Sequence, residues 1–190
     1  MAGTRALVLP SAFTAALVGL AFLPSIRENP RTQLACLGAA FALALWHAAL
    51  AAAVRRSGRR LAVEISARPQ HYVQACAQAA VLLYWGWYWS PVYDAIPLIA
   101  AQLLFAYAFD MLLAWSRRST CTLGFGPFPV IFSINLFLWF RPAWFHLQFA
   151  LVALGFAAKE LIRWTRDGRR VHVFNPSSFA LAVASLAAGS

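Results

Sequence analysis

The chain alternates long apolar segments with short loops rich in arginine and proline. A helix inside a lipid bilayer satisfies its own backbone hydrogen bonds, so such segments are typical of membrane-spanning helices. We predict an all-α, polytopic transmembrane helical bundle with six complete spans and a partial seventh. The predicted spans are Ala6–Leu23, Gln33–Val54, His71–Trp89, Val92–Trp115, Phe128–Phe140 and Ala143–Trp164, followed by the partial span Ser177–Gly189.

The composition agrees with this prediction, since 62% of the residues are hydrophobic and only 12% are charged. Soluble domains are less apolar than this, and the excess requires a second apolar phase, which a lipid bilayer provides. The net charge of +10 could indicate a nucleic-acid partner. Because the arginines cluster between apolar segments, we interpret the charge as a signal of membrane topology and expect no nucleic-acid binding.

The distribution of arginine between alternate loops predicts an orientation. With six crossings, twelve arginines fall on the side of the N-terminus and three, Arg27, Arg31 and Arg141, on the other. Positively charged loops favour the cytoplasm, so we predict a cytoplasmic N-terminus and a multi-pass protein of the bacterial inner (cytoplasmic) membrane. Arg5 and the apolar segment after it resemble a signal peptide, but more spans follow, and we interpret this segment as a retained first helix.

A few polar and aromatic residues stand out within the apolar segments. Asp110 lies within two turns of the end of its predicted span, where it could pair with Arg117 or Arg118. The aromatic run 84–89 favours an interfacial belt, with a stacking surface for a flavin, haem or quinone as the alternative. We find no motif of a soluble enzyme, no catalytic residue and no spacing of cysteine or histidine typical of a metal site.

Asn175 and Pro176 predict a helix start after the basic loop 165–173. An asparagine side chain can cap the unpaired N–H groups of a first turn, and proline suits the first helical position. The N–H groups of such a helix end favour an anion or the polar edge of a ring.

The segment FNPSSFALA, residues 174–182, resembles the FNP signature of two related membrane subunits. These are the D subunit of Rnf complexes and the B subunit of the sodium-pumping NADH:quinone reductase. The similarity runs backwards through the predicted spans, with Lys159 before the end of the sixth, and covers residues 70–190. We therefore divide the chain into residues 1–69, with two helices and a basic loop, and a family membrane domain in 70–190, truncated to its N-terminal half.

The resemblance implies a subunit that holds a flavin, riboflavin or FMN, and assists electron transfer coupled to ion translocation beside other membrane subunits. It implies that Asn175 hydrogen-bonds the isoalloxazine edge, that His172 or Phe174 borders the ring, and that Ser177 belongs to the same site. In the family a second flavin, FMN, is bound covalently through a Ser-Gly-Ala-Thr motif, which these 190 residues do not contain. Whether the chain is an enzyme is left open.

Two further expectations concern the missing motif and the short last segment. The segment 177–189 would be either a re-entrant half-helix or the start of a span, and we expect the chain to be a fragment of a longer protein. The stretch GFGPFPVIFSINLFLWF, residues 124–140, is similar to a stand-alone branch found beside enediyne biosynthetic genes. This similarity favours an alternative function as a non-enzymatic scaffold or transporter-like protein of a biosynthetic pathway.

Overall fold

The computed structural model describes residues 6–138, 146–166, 169–173 and 175–189. Within these residues the protein is mostly helical, with short strands between some of the helices. The elements are α1 (Val8–Leu20), α2 (Pro24–Arg27), α3 (Pro30–Ser57), β1 (Ala62–Ile65), α4 (Pro69–Tyr88), α5 (Pro91–Asp94), α6 (Ile96–Arg117), β2 (Thr120–Leu123), α7 (Pro127–Leu138), α8 (Gln148–Leu161), β3 (Arg163–Arg166), β4 (Arg169–His172) and α9 (Pro176–Gly189).

Helix α6 forms the centre of the bundle, and α1, α3, α7 and α8 pack against it. Met111, Leu112 and Trp115 of α6 are almost completely buried. The indole N–H of Trp115 donates to the carbonyl of Ala62 at 3.2 Å, which ties β1 to the end of α6. The apolar face of α6 is therefore used mainly for packing inside the protein.

The four strands among the described residues form two separate pairs, which the all-α prediction did not include. β1 and β2 run parallel, with Ala62 opposite Thr120, whereas β3 and β4 run antiparallel, with Arg163 opposite His172. Residues with branched Cβ atoms, among them Val63 and Thr122, favour extended backbone in these loops. The polar loops between the predicted spans thus contain regular structure that the apolar pattern does not reveal.

A helix–strand–helix arrangement occurs three times along the described chain. It consists of α3, β1 and α4, then α6, β2 and α7, and finally α8, the β3–β4 pair and α9. The second helix begins each time at a proline: Pro69, Pro127 or Pro176. Proline suits this position because its φ is already helical and its missing N–H would have no partner in the helix. Residues at all three helix starts line one cavity.

The prediction of six complete membrane spans and a partial seventh is wrong. Among the described residues, only α3 and the segment Pro91–Arg117, formed by α5 and α6, are long and apolar enough to cross a membrane. Helices α1, α8 and α9 have only 13 or 14 residues. Such helices rise about 20 Å, whereas the apolar core of a bilayer is about 30 Å thick.

Two physical reasons explain the excess of predicted spans. The predicted span 143–164 contains a strand, since α8 ends at Leu161 and β3 begins at Arg163. The predicted span 71–89 corresponds to α4, whose first half carries several polar side chains, Gln70, His71, Gln74 and Gln78. An apolar run can also form a core helix of a bundle, and hydropathy alone does not separate the two uses.

The predicted orientation loses its basis together with the span count. The comparison of twelve arginines with three assumed that each loop lies across the membrane from the next. With two candidate crossings in the described residues, this alternation no longer holds. The structure instead brings basic residues from three loops to one place. Arg68, Arg118 and Arg163 all line the same cavity.

The surface of the two candidate spans is consistent with contact with lipid. Leu34, Phe41 and Leu45 of α3 are each more than half exposed. Only 22% of the most apolar part of α3 is buried inside the protein, compared with 56% for Pro91–Arg117. Exposed apolar faces of this length are typical of membrane-associated helices.

Candidate functional site

A polar cavity of about 720 Å³ lies where the N-terminal ends of α4, α7 and α9 meet. Cavities of roughly 300–1,000 Å³ are typical of sites for small molecules and cofactors. Several charged side chains border this cavity, on α6, on α8 and in the loops after them. The lining residues with ionisable side chains are Arg68, His71, Asp110, Arg118, Lys159, Glu160 and Arg163.

Two of the predicted site residues, Asn175 and Ser177, line this cavity. Asn175 caps α9, because its Oδ1 accepts hydrogen bonds from the backbone N–H of Ser177 at 3.1 Å and from the Ser177 hydroxyl at 2.8 Å. Ser177 is buried, while Asn175 is exposed. The capping role uses Oδ1 and leaves the Nδ2 amide group of Asn175 as a hydrogen-bond donor for a ligand.

The other two predicted site residues cannot be placed in the cavity. Phe174 lies outside the described residues. The backbone of His172 pairs with Arg163 in the β3–β4 ladder, but its side chain is outside the described part of the chain. Their assignment to a flavin site stays a prediction.

Glu160 holds the basic side of the cavity together. Its carboxylate is only 6% exposed and accepts hydrogen bonds from Arg118, at 2.5 Å, and from Arg163. Arg117 lies further away, with its Nε 3.9 Å from the carboxylate. Charged hydrogen bonds of this kind are strong, and they offset the free-energy cost of burying a carboxylate.

Lys159 and Asp110 face each other across the α6–α8 contact. Lys159 Nζ lies 3.8 Å from Asp110 Oδ2, and it also lies 5.2 Å from the centre of the Phe156 ring. The sequence had suggested Arg117 or Arg118 as the partner of Asp110. In the structure these arginines pair with Glu160 instead, and Lys159 of α8 lies beside Asp110 of α6.

His71, in the first turn of α4, is partly buried at the cavity wall. Its pKa is lowered from the ordinary value of 6.5, first by loss of contact with water and then by the positive charges of Arg68 and Lys159. The imidazole is therefore neutral at pH 7, when it can donate one hydrogen bond and accept another.

Close backbone packing shapes two walls of the cavity. A Cβ atom at Gly124 would lie 2.4 Å from the Ser66 carbonyl oxygen, so only glycine allows the loop before α7 to meet the loop after β1 this closely. The hydroxyl of Tyr107 donates to the Gly124 carbonyl at 2.8 Å. At Gly155 of α8, a Cβ atom would lie 2.7 Å from the Pro176 carbonyl oxygen. These contacts set the positions of the starts of α7 and α9.

The aromatic run 84–89 lies outside the polar cavity. Tyr84, Trp87 and Tyr88 are each more than 60% exposed, and none of the six residues lines the cavity. Such exposure favours the interfacial belt over the stacking surface.

The cysteines also contribute no donor to the cavity, and burial raises the pKa of Cys121 to about 12, which keeps its thiol protonated.

Most of the residues that line the cavity were not predicted from the sequence as site residues. Residues 68, 110, 118 and 159 come from different loops and helices, and no short motif contains any two of them with Asn175. One local signal was present, since each of the three prolines that begin α4, α7 and α9 follows a residue that lines the cavity, Arg68, Gly126 or Asn175.

Comparison of the chain with protein-family models, curated proteins and solved structures gives no match. The resemblance of residues 174–182 to the Rnf and sodium-pumping reductase subunits therefore stays a prediction.

Proposed function

We propose that this protein is a membrane-associated, flavin-holding subunit that assists electron transfer in a larger membrane complex. The observation that carries the proposal is the position of Asn175 and Ser177, which belong to the FNP-like segment and line the polar cavity. On this proposal the bacterial inner membrane is its location, and other membrane subunits are its partners. Coupling to ion translocation would be a property of the complex.

The residues of the cavity suit a riboflavin or FMN. The edge of an isoalloxazine ring carries carbonyl oxygens and ring nitrogens that need hydrogen-bond donors. Asn175 Nδ2, Lys159 and Arg68 are donors at the cavity wall. The flavin would supply the capacity to take up and release electrons, while the protein would bind it, orient it and set its electrostatic surroundings.

The first test is to purify the protein in detergent and measure bound flavin per protein from the visible absorption spectrum. We expect stoichiometric flavin in the native protein and about tenfold weaker binding in Asn175→Ala, because a donor and a cap are lost together. Native protein that binds neither riboflavin nor FMN would refute the proposal.

Asn29→Ala is a matched control for Asn175→Ala. Asn29 also precedes a proline and caps a helix, with its Oδ1 accepting from the N–H of Arg31 at 3.1 Å and of Thr32 at 3.2 Å. It does not line the cavity. Its removal should lower stability by a similar amount and leave the flavin content unchanged.

The alternative is a non-enzymatic scaffold or transporter-like protein of a biosynthetic pathway. The sequence observation that favours it is the similarity of residues 124–140 to a stand-alone branch found beside enediyne biosynthetic genes. A protein without flavin that co-purifies with biosynthetic enzymes in a membrane fraction would support this alternative.

A further inference from the structure

The C-terminal ends of the two candidate spans lie side by side. Helix α3 carries Arg55 and Arg56 in its last turn. In the loop that follows, Arg59 donates from Nη2 to the carbonyls of Trp115 at 2.9 Å and Arg118 at 3.0 Å, which belong to the end of α6. This contact holds the loop after α3 against the end of α6, so the arginines of both helix ends lie in one region.

Four of the arginines in this region are exposed, and we call them the basic end: Arg55, Arg56, Arg60 and Arg117. Arg117 lies 3.9 Å from Glu160, which Arg118 and Arg163 share with it. The other three have no carboxylate partner in the described part of the chain. Residues 55–68 contain five arginines and one carboxylate, the exposed Glu64. The basic end therefore keeps a net positive charge.

The apolar surface of α3 places the basic end at a defined depth. Residues 33–54 have no side chain of aspartate, glutamate, lysine or arginine, and they come directly before Arg55. In a helix they rise about 33 Å, while the apolar core of a bilayer is about 30 Å thick. When α3 crosses this core, Arg55 and Arg56 reach the layer of the lipid headgroups.

Exposed apolar side chains accompany the arginines at this end of the molecule. Ile65 of β1 is 86% exposed and Trp164 of β3 is 66% exposed. β1 pairs with β2, which follows α6, and Arg163 beside Trp164 shares Glu160 with the end of α6. Such side chains are typical of a surface at the membrane interface. A nucleic acid on the arginines would leave Ile65 and the apolar surface of α3 in water.

From the charge, the depth and the apolar neighbours, we propose that the basic end binds the headgroups of anionic phospholipids. Guanidinium groups donate paired, charged hydrogen bonds to phosphate oxygens. A headgroup with a net negative charge compensates the arginines, whereas a zwitterionic headgroup brings a cation of its own. This surface is separate from the contents of the polar cavity, so its binding of lipid does not depend on a flavin.

The test measures which phospholipid the protein retains. The full chain, purified in detergent and immobilised, is equilibrated with mixed micelles that contain equal amounts of phosphatidylglycerol and phosphatidylcholine, and the retained lipids are quantified by mass spectrometry. We expect phosphatidylglycerol to be enriched at least about fivefold, the effect of one arginine at an anionic surface. Equal retention of the two lipids would overturn the proposal.

The dependence on salt tests the same attraction in the native protein, without any variant. Raising the salt concentration about tenfold should remove most of the enrichment, because salt screens exposed charges. An enrichment that is unchanged at high salt would contradict binding through the arginines.

Two double variants locate the binding surface. Arg55→Gln with Arg56→Gln should lose most of the enrichment. Arg27→Gln with Arg31→Gln is the matched control, because it also removes two exposed arginines, at the opposite end of α3. It should keep the enrichment of the native protein. If both variants lose it equally, net charge and not the basic end attracts the lipid, and the proposal is overturned.

A short DNA duplex, added to the native protein in the same micelles, decides between lipid and nucleic acid. We expect the duplex to leave the retained phosphatidylglycerol unchanged. If it displaces the lipid, and if Arg55→Gln with Arg56→Gln abolishes its binding, the basic end serves a nucleic acid and the proposal is overturned.

Discussion

Glu160 shows at the scale of one residue how the cavity is held in place. Its buried carboxylate accepts hydrogen bonds from Arg118, at the end of α6, and from Arg163, at the start of β3. In the sequence, Glu160 stands near the end of the predicted span Ala143–Trp164, and no local pattern indicates its partners. The ion pairs depend on the packing of α8 beside α6, which no local pattern specifies.

Glu160→Gln should lower the free energy of unfolding by about 1–3 kcal/mol, because it leaves two arginines without their carboxylate partner. The arginines are partly exposed, at 39% and 31%, so water replaces part of the interaction and limits the loss. Denaturant unfolding in detergent measures the change. Glu64→Gln, at an exposed position of β1, should have almost no effect; equal effects at the two positions would contradict this role.

His71 predicts a dependence of stability on pH. Its pKa is lowered in the folded protein, so the unfolded chain takes up a proton more readily than the folded one. Stability should therefore fall as the pH is lowered below about 6.5 and through the pKa of the folded state. Arg68 and Lys159 repel the protonated form and add to the effect of burial.

Melting temperatures measured over a pH series test this dependence. His71→Gln should lose less stability on acidification than the native protein. Identical pH profiles for the two proteins would show that other groups control the acid response.

At the scale of elements, the helix starts were the most predictable feature. The predicted start of the last helix at Asn175 and Pro176 is observed, because capping and the fixed φ of proline act within a few residues. The short strands were missed, since four residues of extended backbone leave little pattern. The pairing of β1 with β2 joins loops almost sixty residues apart, as between Ala62 and Thr120.

Gly155→Ala tests the contact between α8 and α9. The added Cβ atom would lie 2.7 Å from the Pro176 carbonyl, so α9 must move away, which should lower stability by about 1–3 kcal/mol. Flavin content should fall as well, since Asn175 moves with α9. Gly38→Ala is the matched control in a helix, because no atom lies within 4 Å of the added Cβ. It should leave stability unchanged or raise it slightly.

At the scale of the whole molecule, long apolar helices occur in two settings, on the surface and in the packed interior. Only 22% of the most apolar part of α3 is buried inside the protein, whereas 56% of the most apolar part of Pro91–Arg117 is buried. Both satisfy the length and hydropathy of a span, and the shorter helices pack around them. Counting apolar runs therefore overestimated the number of crossings.

Phe41→Asp tests whether α3 lies in lipid. Phe41 is 66% exposed near the middle of α3, where a carboxylate in a bilayer costs about 2.5–3.5 kcal/mol. We expect a clear loss of protein from the carbonate-resistant membrane fraction. Ser57→Asp, at the end of the same helix, should be tolerated. If both variants remain in the membrane to the same extent, α3 does not cross the apolar core.

The sequence by itself determined the mainly helical character, the apolar surface and the start of α9, because each depends on composition or on neighbouring residues. Only the tertiary structure decided which apolar helices pack inside the protein, and which side chains meet in the cavity. Lys159, Arg68 and Asn175 come from separate elements, and their meeting requires the close approaches at Gly124 and Gly155. Such contacts depend on the shape of packed surfaces, which hydropathy and local propensity do not encode.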